Sequence, residues 1–243
     1  MKRSILIIYI LCWANAKLLL AQFNPAALTP ETLRYRLATG AVKVGSATVT
    51  ISREPGTIHI VESLSGLFEQ TAIVSIRDDS SLQAQSTQVV ISRANRYHEL
   101  KLQYHPDGQY VTGEVQRPVE MGGSRVIDMA LARGTIDLYA VPYLWRASSL
   151  ALNKTFQLPL FNGLQIEKGA ARAWVSRIES VITPAGTFAC YRVETFLGAA
   201  RMILNFDQNF PHRLIRQIFP ELEVQFELEK VELPEGFRLG QQE

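Results

Sequence analysis

Side chains that could carry out chemistry are spread thinly along this chain of 243 residues. Its histidines are His59, His98, His105 and His212, and no G-x-S-x-G, H-E-x-x-H or C-x-x-C pattern accompanies them. A metal site would need three histidines or carboxylates to converge from distant segments. We therefore expect no metal and no cofactor, and the lack of a catalytic motif favours a protein that is not an enzyme.

The acidic residues and Cys190 also give no indication of an active site. Asp78, Asp79 and Asp207 could serve acid–base chemistry, but aspartates between strands are more often turn formers. Cys190 lies in an apolar segment, which predicts a small buried side chain and not a nucleophile. The 25 basic residues are mixed with 23 acidic ones and form no run, which disfavours a nucleic-acid partner.

Aromatic side chains form the most informative set, in and just after residues 124–152. They are Tyr139, Tyr143, Trp145, Phe156, Phe161 and Trp174. Aromatic residues gathered beside a concave sheet are typical of a pocket for a lipid or another apolar small molecule. The alternative is that these side chains are ordinary core.

The elements that would position this set are mostly β-hairpins. In residues 177–196, β-branched and aromatic runs flank a Thr-Pro-Ala-Gly turn, where proline presets φ and glycine allows a positive φ. The same unit recurs along the chain, so we predict an all-β, mainly antiparallel protein of about a dozen strands. A sheet of that size tends to curl or close, which predicts a curved sheet or a barrel.

The periodicity changes between residues 124 and 152. Residues 124–132 and 137–151 have apolar side chains spaced more like those of a helix, with Asp137 as a candidate N-cap. We expect one or two short helices here, packed against the concave side of the sheet. Residues 22–243 are then one antiparallel β domain, either undivided or built as two similar halves that flank a helical insert at 124–152.

The N-terminus has the layout of a secretory signal peptide. Residues 1–3 are basic at two positions, residues 5–13 are apolar, and small residues follow, with candidate cleavage points after Ala16 and after Ala21. We predict a signal peptide at residues 1–21 and a location in the periplasm or associated with an outer membrane.

Three short motifs resemble an exported bacterial family. They are Val-Ile-Thr-Pro-Ala-Gly-Thr-Phe at 181–188, Asp-Leu-Tyr at 137–139 with Leu-Trp-Arg at 144–146, and Asp207 with Pro-His-Arg at 211–213. The chain is similar there to the family of unknown function DUF3108, over about residues 33–232. The resemblance implies a curled or barrel-like envelope domain with no established activity and no catalytic residues to carry over.

Two functions of different classes follow. The first is a non-enzymatic envelope protein that binds a lipid or other hydrophobic ligand in the curled sheet. The second is a structural component of the envelope, or one that binds a partner protein, with a filled core.

Overall fold

The computed structural model describes residues 23–66, 68–93 and 96–235. The predicted signal peptide lies outside these residues. Within them the chain forms fifteen strands and one short α-helix. The strands are β1 (Glu31–Thr39), β2 (Val42–Glu54), β3 (Thr57–Ser65), β4 (Glu69–Arg77), β5 (Ala84–Arg93), β6 (Arg96–Tyr104), β7 (Tyr110–Gln116), β8 (Arg125–Ala130), β9 (Ile136–Asp137), β10 (Thr155–Asn162), β11 (Glu167–Thr183), β12 (Gly186–Leu197), β13 (Ala200–Asp207), β14 (Leu214–Phe219) and β15 (Val224–Glu232). The helix, α1, spans Val141–Arg146.

All fifteen strands belong to one sheet, in the order β8-β7-β6-β5-β4-β3-β2-β1-β15-β14-β13-β12-β11-β10-β9. Strands that are neighbours in the chain pair as antiparallel hairpins. The first strand, β1, also pairs antiparallel with the last, β15. The exception is β9, which pairs parallel to β10 and, within the described ranges, does not pair with β8. The predicted all-β, curved antiparallel sheet is confirmed, with fifteen strands where about a dozen were expected.

The sheet curls until its two edges approach each other. Among the described residues no backbone ladder joins β8 to β9 or β10, so side chains cross the seam instead. Lys168 Nζ donates to the carbonyl oxygen of Ala130 at 3.0 Å, and Arg117 Nη1 donates to that of Leu164 at 3.2 Å. Phe161 of β10 is buried in the same apolar cluster as side chains of β5, β6 and β7. The result is a barrel-like form, which is completed by side-chain contacts across the seam and not by a backbone ladder.

Alternation along the strands defines the concave face. In β2, Ala47, Val49 and Ile51 are buried, while the threonines between them are half-exposed. In β3, Ile58 and Ile60 are buried on the same face. Side chains of this kind from most of the strands form one apolar cluster, which includes the buried side chains of α1.

The helical insert is smaller than the sequence predicted. Residues 137–151 contain a 3-10 turn (Leu138–Ala140) that runs directly into α1, and Asp137 caps that turn as expected. Of the two segments with helix-like spacing, only 137–151 contains a helix, whereas Arg125–Ala130 form β8, which pairs with β7. A segment of six residues is too short for the spacing of its apolar side chains to distinguish a helix from a strand. The edge of β7, which is free to pair with this segment, makes it a strand. None of the helices in the described part of the chain is long and apolar enough to cross a bilayer.

Candidate functional site

The helix α1 fills the concave side of the sheet. Proline at its second position suits a first turn, where a backbone N–H would have no partner within the helix. Tyr143, Leu144, Trp145 and Arg146 are all buried. A six-residue helix is too short to be stable alone, so packing against the sheet must hold it.

One buried carboxylate anchors the start of this segment. Asp137 accepts hydrogen bonds from the Tyr104 hydroxyl at 2.5 Å and from the Tyr139 backbone N–H at 2.7 Å. Burial raises the pKa of Asp137, and these hydrogen bonds offset part of that rise.

A second buried carboxylate anchors its end. Glu31 of β1 lies between two guanidinium groups, with Arg146 Nη2 and Arg213 Nε each at 2.6 Å from one of its oxygens. Arg146 Nε also donates to the carbonyl oxygen of Pro211 at 3.0 Å. Because Glu31 and Arg146 are almost completely buried, this ion cluster fixes α1 to β1 and to the turn before β14.

A third carboxylate, Glu62 of β3, faces the same helix. The Tyr143 hydroxyl donates to Glu62 at 3.1 Å. Burial raises the pKa of Glu62, and the hydrogen bond from Tyr143 opposes that rise. The three acidic groups therefore hold this helical segment in place, and residues 138–146 are here called the plug.

Five of the six predicted aromatic residues lie on the plugged side. Trp145 and Phe156 pack with ring centroids 5.5 Å apart, and Tyr143 belongs to the same core cluster. Tyr139 contacts this cluster and also the second one, which contains Phe161. Their role as ligand-lining residues stays a prediction.

The sixth, Trp174, lies on the opposite, outward face of β11. Its neighbours in sequence, Ala173 and Val175, point inward and are buried, whereas the Trp174 side chain is 46% exposed. Phe196 of β12 is 42% exposed and lies on the same outward face. Sequence reasoning missed Phe196, although it lies between Thr195, which is buried, and Leu197, which is partly buried, and could have been found by its parity.

Trp174 and Phe196 line an open groove of about 690 Å³ on the outside of the sheet, here called the outer groove. The residues of its outward-facing lining are Thr155, Gln157, Ala170, Arg172, Trp174, Phe196 and Gly198. Phe156 and Ala173 also border it, but their side chains are buried on the inner face. The strand register places Arg172 directly between Gln157 and Phe196, and Trp174 directly opposite Thr155. The groove therefore combines apolar rings with polar side chains from three adjacent strands.

Two other cavities lie nearer the plug. One, of about 190 Å³, is lined mainly by apolar side chains around Asp137 and Leu144. The other, here called the mouth cavity, has about 460 Å³ and is lined by Phe23, Arg146, Phe210 and further residues after α1.

Other potentially reactive groups are dispersed. Cys190 is fully buried, and burial raises the pKa of its thiol to about 12, which suits the predicted core role. His59 Nδ1 lies 2.9 Å from Ser75 Oγ, and His212 Nδ1 lies 2.9 Å from the carbonyl oxygen of Asp207. In the described residues no three His, Cys, Asp or Glu side chains come together as a metal site.

These features define a barrel-like protein whose curled antiparallel sheet is plugged by a helix and grooved on its outer face. Residues 34–213 match the protein family of unknown function DUF3108, and the chain belongs to that family. The expected family membership is thereby confirmed. No curated protein matches the chain.

Two solved structures are similar to this chain to different degrees. One is a β-barrel-like protein of the domain of unknown function DUF1849 from Brucella abortus, at 10% identity and a TM-score of 0.50, covering 84% of this chain and 98% of that one. Another, from Bacteroides fragilis, is described as a candidate exported protein with a YmcC-like fold. It has 11% identity and a TM-score of 0.29, and the match covers 87% of this chain and 99% of that one.

Proposed function

We propose that this protein is a non-enzymatic protein of the cell envelope that binds a lipid or another apolar small molecule in the outer groove. The observation that carries the proposal is the pair of half-exposed aromatic rings, Trp174 and Phe196, at a groove of about 690 Å³. Small-molecule sites generally have volumes of about 300–1,000 Å³ and apolar walls with a few polar groups. The basic, apolar and small residues at the N-terminus support export.

The concave interior is the weaker location for a ligand. Trp145 is fully buried and Phe156 nearly so, and the adjoining cavity of about 190 Å³ falls below the usual range. The mouth cavity is large enough, but its arginine, Arg146, is already held by Glu31 and the Pro211 carbonyl. The ligand site that the sequence predicted inside the curl is therefore proposed for the outside.

Displacement of a fluorescent fatty acid tests this location. We expect Trp174→Ala to weaken binding at least tenfold, because an aromatic anchor in a binding site is worth about 2 kcal/mol or more. The matched control is Tyr97→Ala, which removes a 47% exposed aromatic from β6, a strand that does not line the groove. Phe210→Ala makes the same truncation beside the mouth cavity.

Each variant has a defined outcome. Loss of binding only in Trp174→Ala supports the outer groove. Loss only in Phe210→Ala moves the site to the mouth cavity, and wild-type affinity in all three variants counts against both locations.

A second candidate function, a protein-interaction component of the envelope, is favoured by the edge of β10. In the described residues β9 pairs with β10 only at Leu160 and Phe161, so the first half of β10 has a ladder on one side only. An unpaired edge can accept a strand from another protein. A photo-crosslinking residue at Gln157 should then capture a partner in cells that one at Lys101, in the interior strand β6, does not. Identical products from both positions would remove this candidate.

A further inference from the structure

The outer groove contains one cation that its own strands do not neutralise. Arg172 is exposed on β11, and in the described part of the chain it forms no ion pair. Its cross-strand neighbours on the same face, Gln157 and Phe196, carry no charge. An exposed guanidinium beside apolar rings is available to an incoming anion.

The acidic side chain one row away is already engaged. Glu194 lies opposite Trp174 on β12, diagonal to Arg172. One of its oxygens is 2.6 Å from Arg192 Nε, and the other is 2.6 Å from Arg201 Nη2. Burial favours a higher pKa for Glu194, but these two arginines outweigh it and hold the pKa below its ordinary value. Glu194 thus stays ionised and paired, and it does not compensate Arg172.

Spacing along the strand gives the groove a polar end and an apolar end. Residues two apart on a strand point the same way and are about 7 Å apart, so Arg172 and Trp174 present a cation and an indole side by side. Phe196 lies across from Arg172 and extends the apolar surface. A guanidinium fits a carboxylate or a phosphate with two parallel hydrogen bonds, and the Gln157 amide is placed to donate another.

We infer that the outer groove selects amphiphiles with an anionic head group, a carboxylate or a phosphate ester, which pairs with Arg172 while the hydrocarbon chain lies over Trp174 and Phe196. This inference rests on the proposed function and names the class of ligand. The shared chemistry fits both a free fatty acid and the phosphate of a lipid. Uncharged amphiphiles would bind through the apolar end alone.

The test uses three probes with a hydrocarbon chain of the same length: dodecanoate, dodecyl phosphate and dodecanol. The two anions are titrated into the wild-type protein below their micelle concentrations, and dodecanol below its solubility limit. Wild type should bind an anionic probe roughly tenfold more tightly than dodecanol, since hydrogen bonds to charged groups are among the stronger ones. Arg172→Gln should remove this preference, because the anionic probes lose their charged partner in the groove and the uncharged probe has none to lose. The matched control is Arg125→Gln, which removes an exposed arginine of β8 that also lacks an ion pair among the described residues.

The outcomes separate this inference from the proposed function. Anion preference that Arg172→Gln abolishes and Arg125→Gln keeps supports the inference, and the tighter of the two anions identifies its source. Equal binding of all three probes, still sensitive to Trp174→Ala, overturns the head-group selection and leaves the proposed function intact. An anion preference that survives in Arg172→Gln also overturns it. No binding of any probe removes the proposed function, and the inference with it.

Discussion

The two tryptophans of the described chain lie on opposite faces of the same sheet. Trp145 is fully buried in α1, packed on Phe156 inside the curl, whereas Trp174 is nearly half-exposed beside Phe196 outside it. The first fills a space that the sheet would otherwise leave open. Trp174 fills no space in the core, and it leaves apolar surface exposed to water. The interior aromatics therefore stabilise the fold, whereas the exterior ones are accessible to the ligand that we propose.

The charged groups near each tryptophan differ in the same way. Inside the curl, Arg146 is locked between Glu31 and a backbone carbonyl. Outside, Arg172 has no ion-pair partner among the described residues. A cation that is paired with a carboxylate of its own fold contributes to structure, and one that has no such pair is available for recognition.

The largest effect on stability should come from removing a large side chain from the interior. Trp145→Ala should destabilise the protein by about 5 kcal/mol, through lost burial and the cavity left behind. Trp174→Ala should change the free energy of unfolding by less than about 0.5 kcal/mol. Urea unfolding followed by circular dichroism measures both. Similar losses of unfolding free energy in the two variants would contradict the different roles given to the two tryptophans.

Next in size is the buried ion cluster. Glu31→Gln leaves two guanidinium groups, one of them fully buried, without a counter-charge, and should cost about 3 kcal/mol. Glu232→Gln is the control, since it removes the exposed pair with Arg34 and should cost less than about 1 kcal/mol. Equal effects in the same unfolding assay would show that the cluster does not anchor the plug.

A smaller effect concerns pH. Because burial raises the pKa of Glu62 in the folded protein, the unfolded chain releases this proton first as pH rises. Wild type therefore loses stability as pH rises from the ordinary value of 4.5 through the higher folded pKa, and Glu62→Gln does not. Glu62→Gln should gain stability relative to wild type between pH 4 and pH 8. A difference that is flat across this range would contradict the burial of an ionisable Glu62 beside Tyr143.

Much of the fold could be predicted because hairpin chemistry is local. The Thr-Pro-Ala-Gly turn joins β11 to β12 as expected, with Gly186 at φ +135°, and Asp137 caps the helical segment. The strand β8 could not be predicted, because it forms only through its pairing with β7, and the spacing of apolar side chains over six residues does not reveal that pairing. The ion pair between Glu31 and Arg146 joins distant parts of the chain, and no spacing rule connects them.

The groove was only half visible in the sequence. Phe156 and Trp174 were selected as aromatic, but clustering in sequence says nothing about which face a side chain takes. Alternation does: Trp174 stands between two small or β-branched residues that are buried. The same parity, applied to Arg172 and Phe196, would have placed all three on the outer face.

The most direct test of the central claim is quenching of tryptophan emission by a brominated fatty acid. Bromine quenches an indole only at close contact, and Trp145 is shielded by the fold. We expect the bound fatty acid to quench the tryptophan emission of the wild-type protein. In Trp174→Phe, which keeps an aromatic ring in the groove, the remaining emission should not be quenched. Equal quenching in wild type and in Trp174→Phe would place the ligand away from the outer groove and contradict the account.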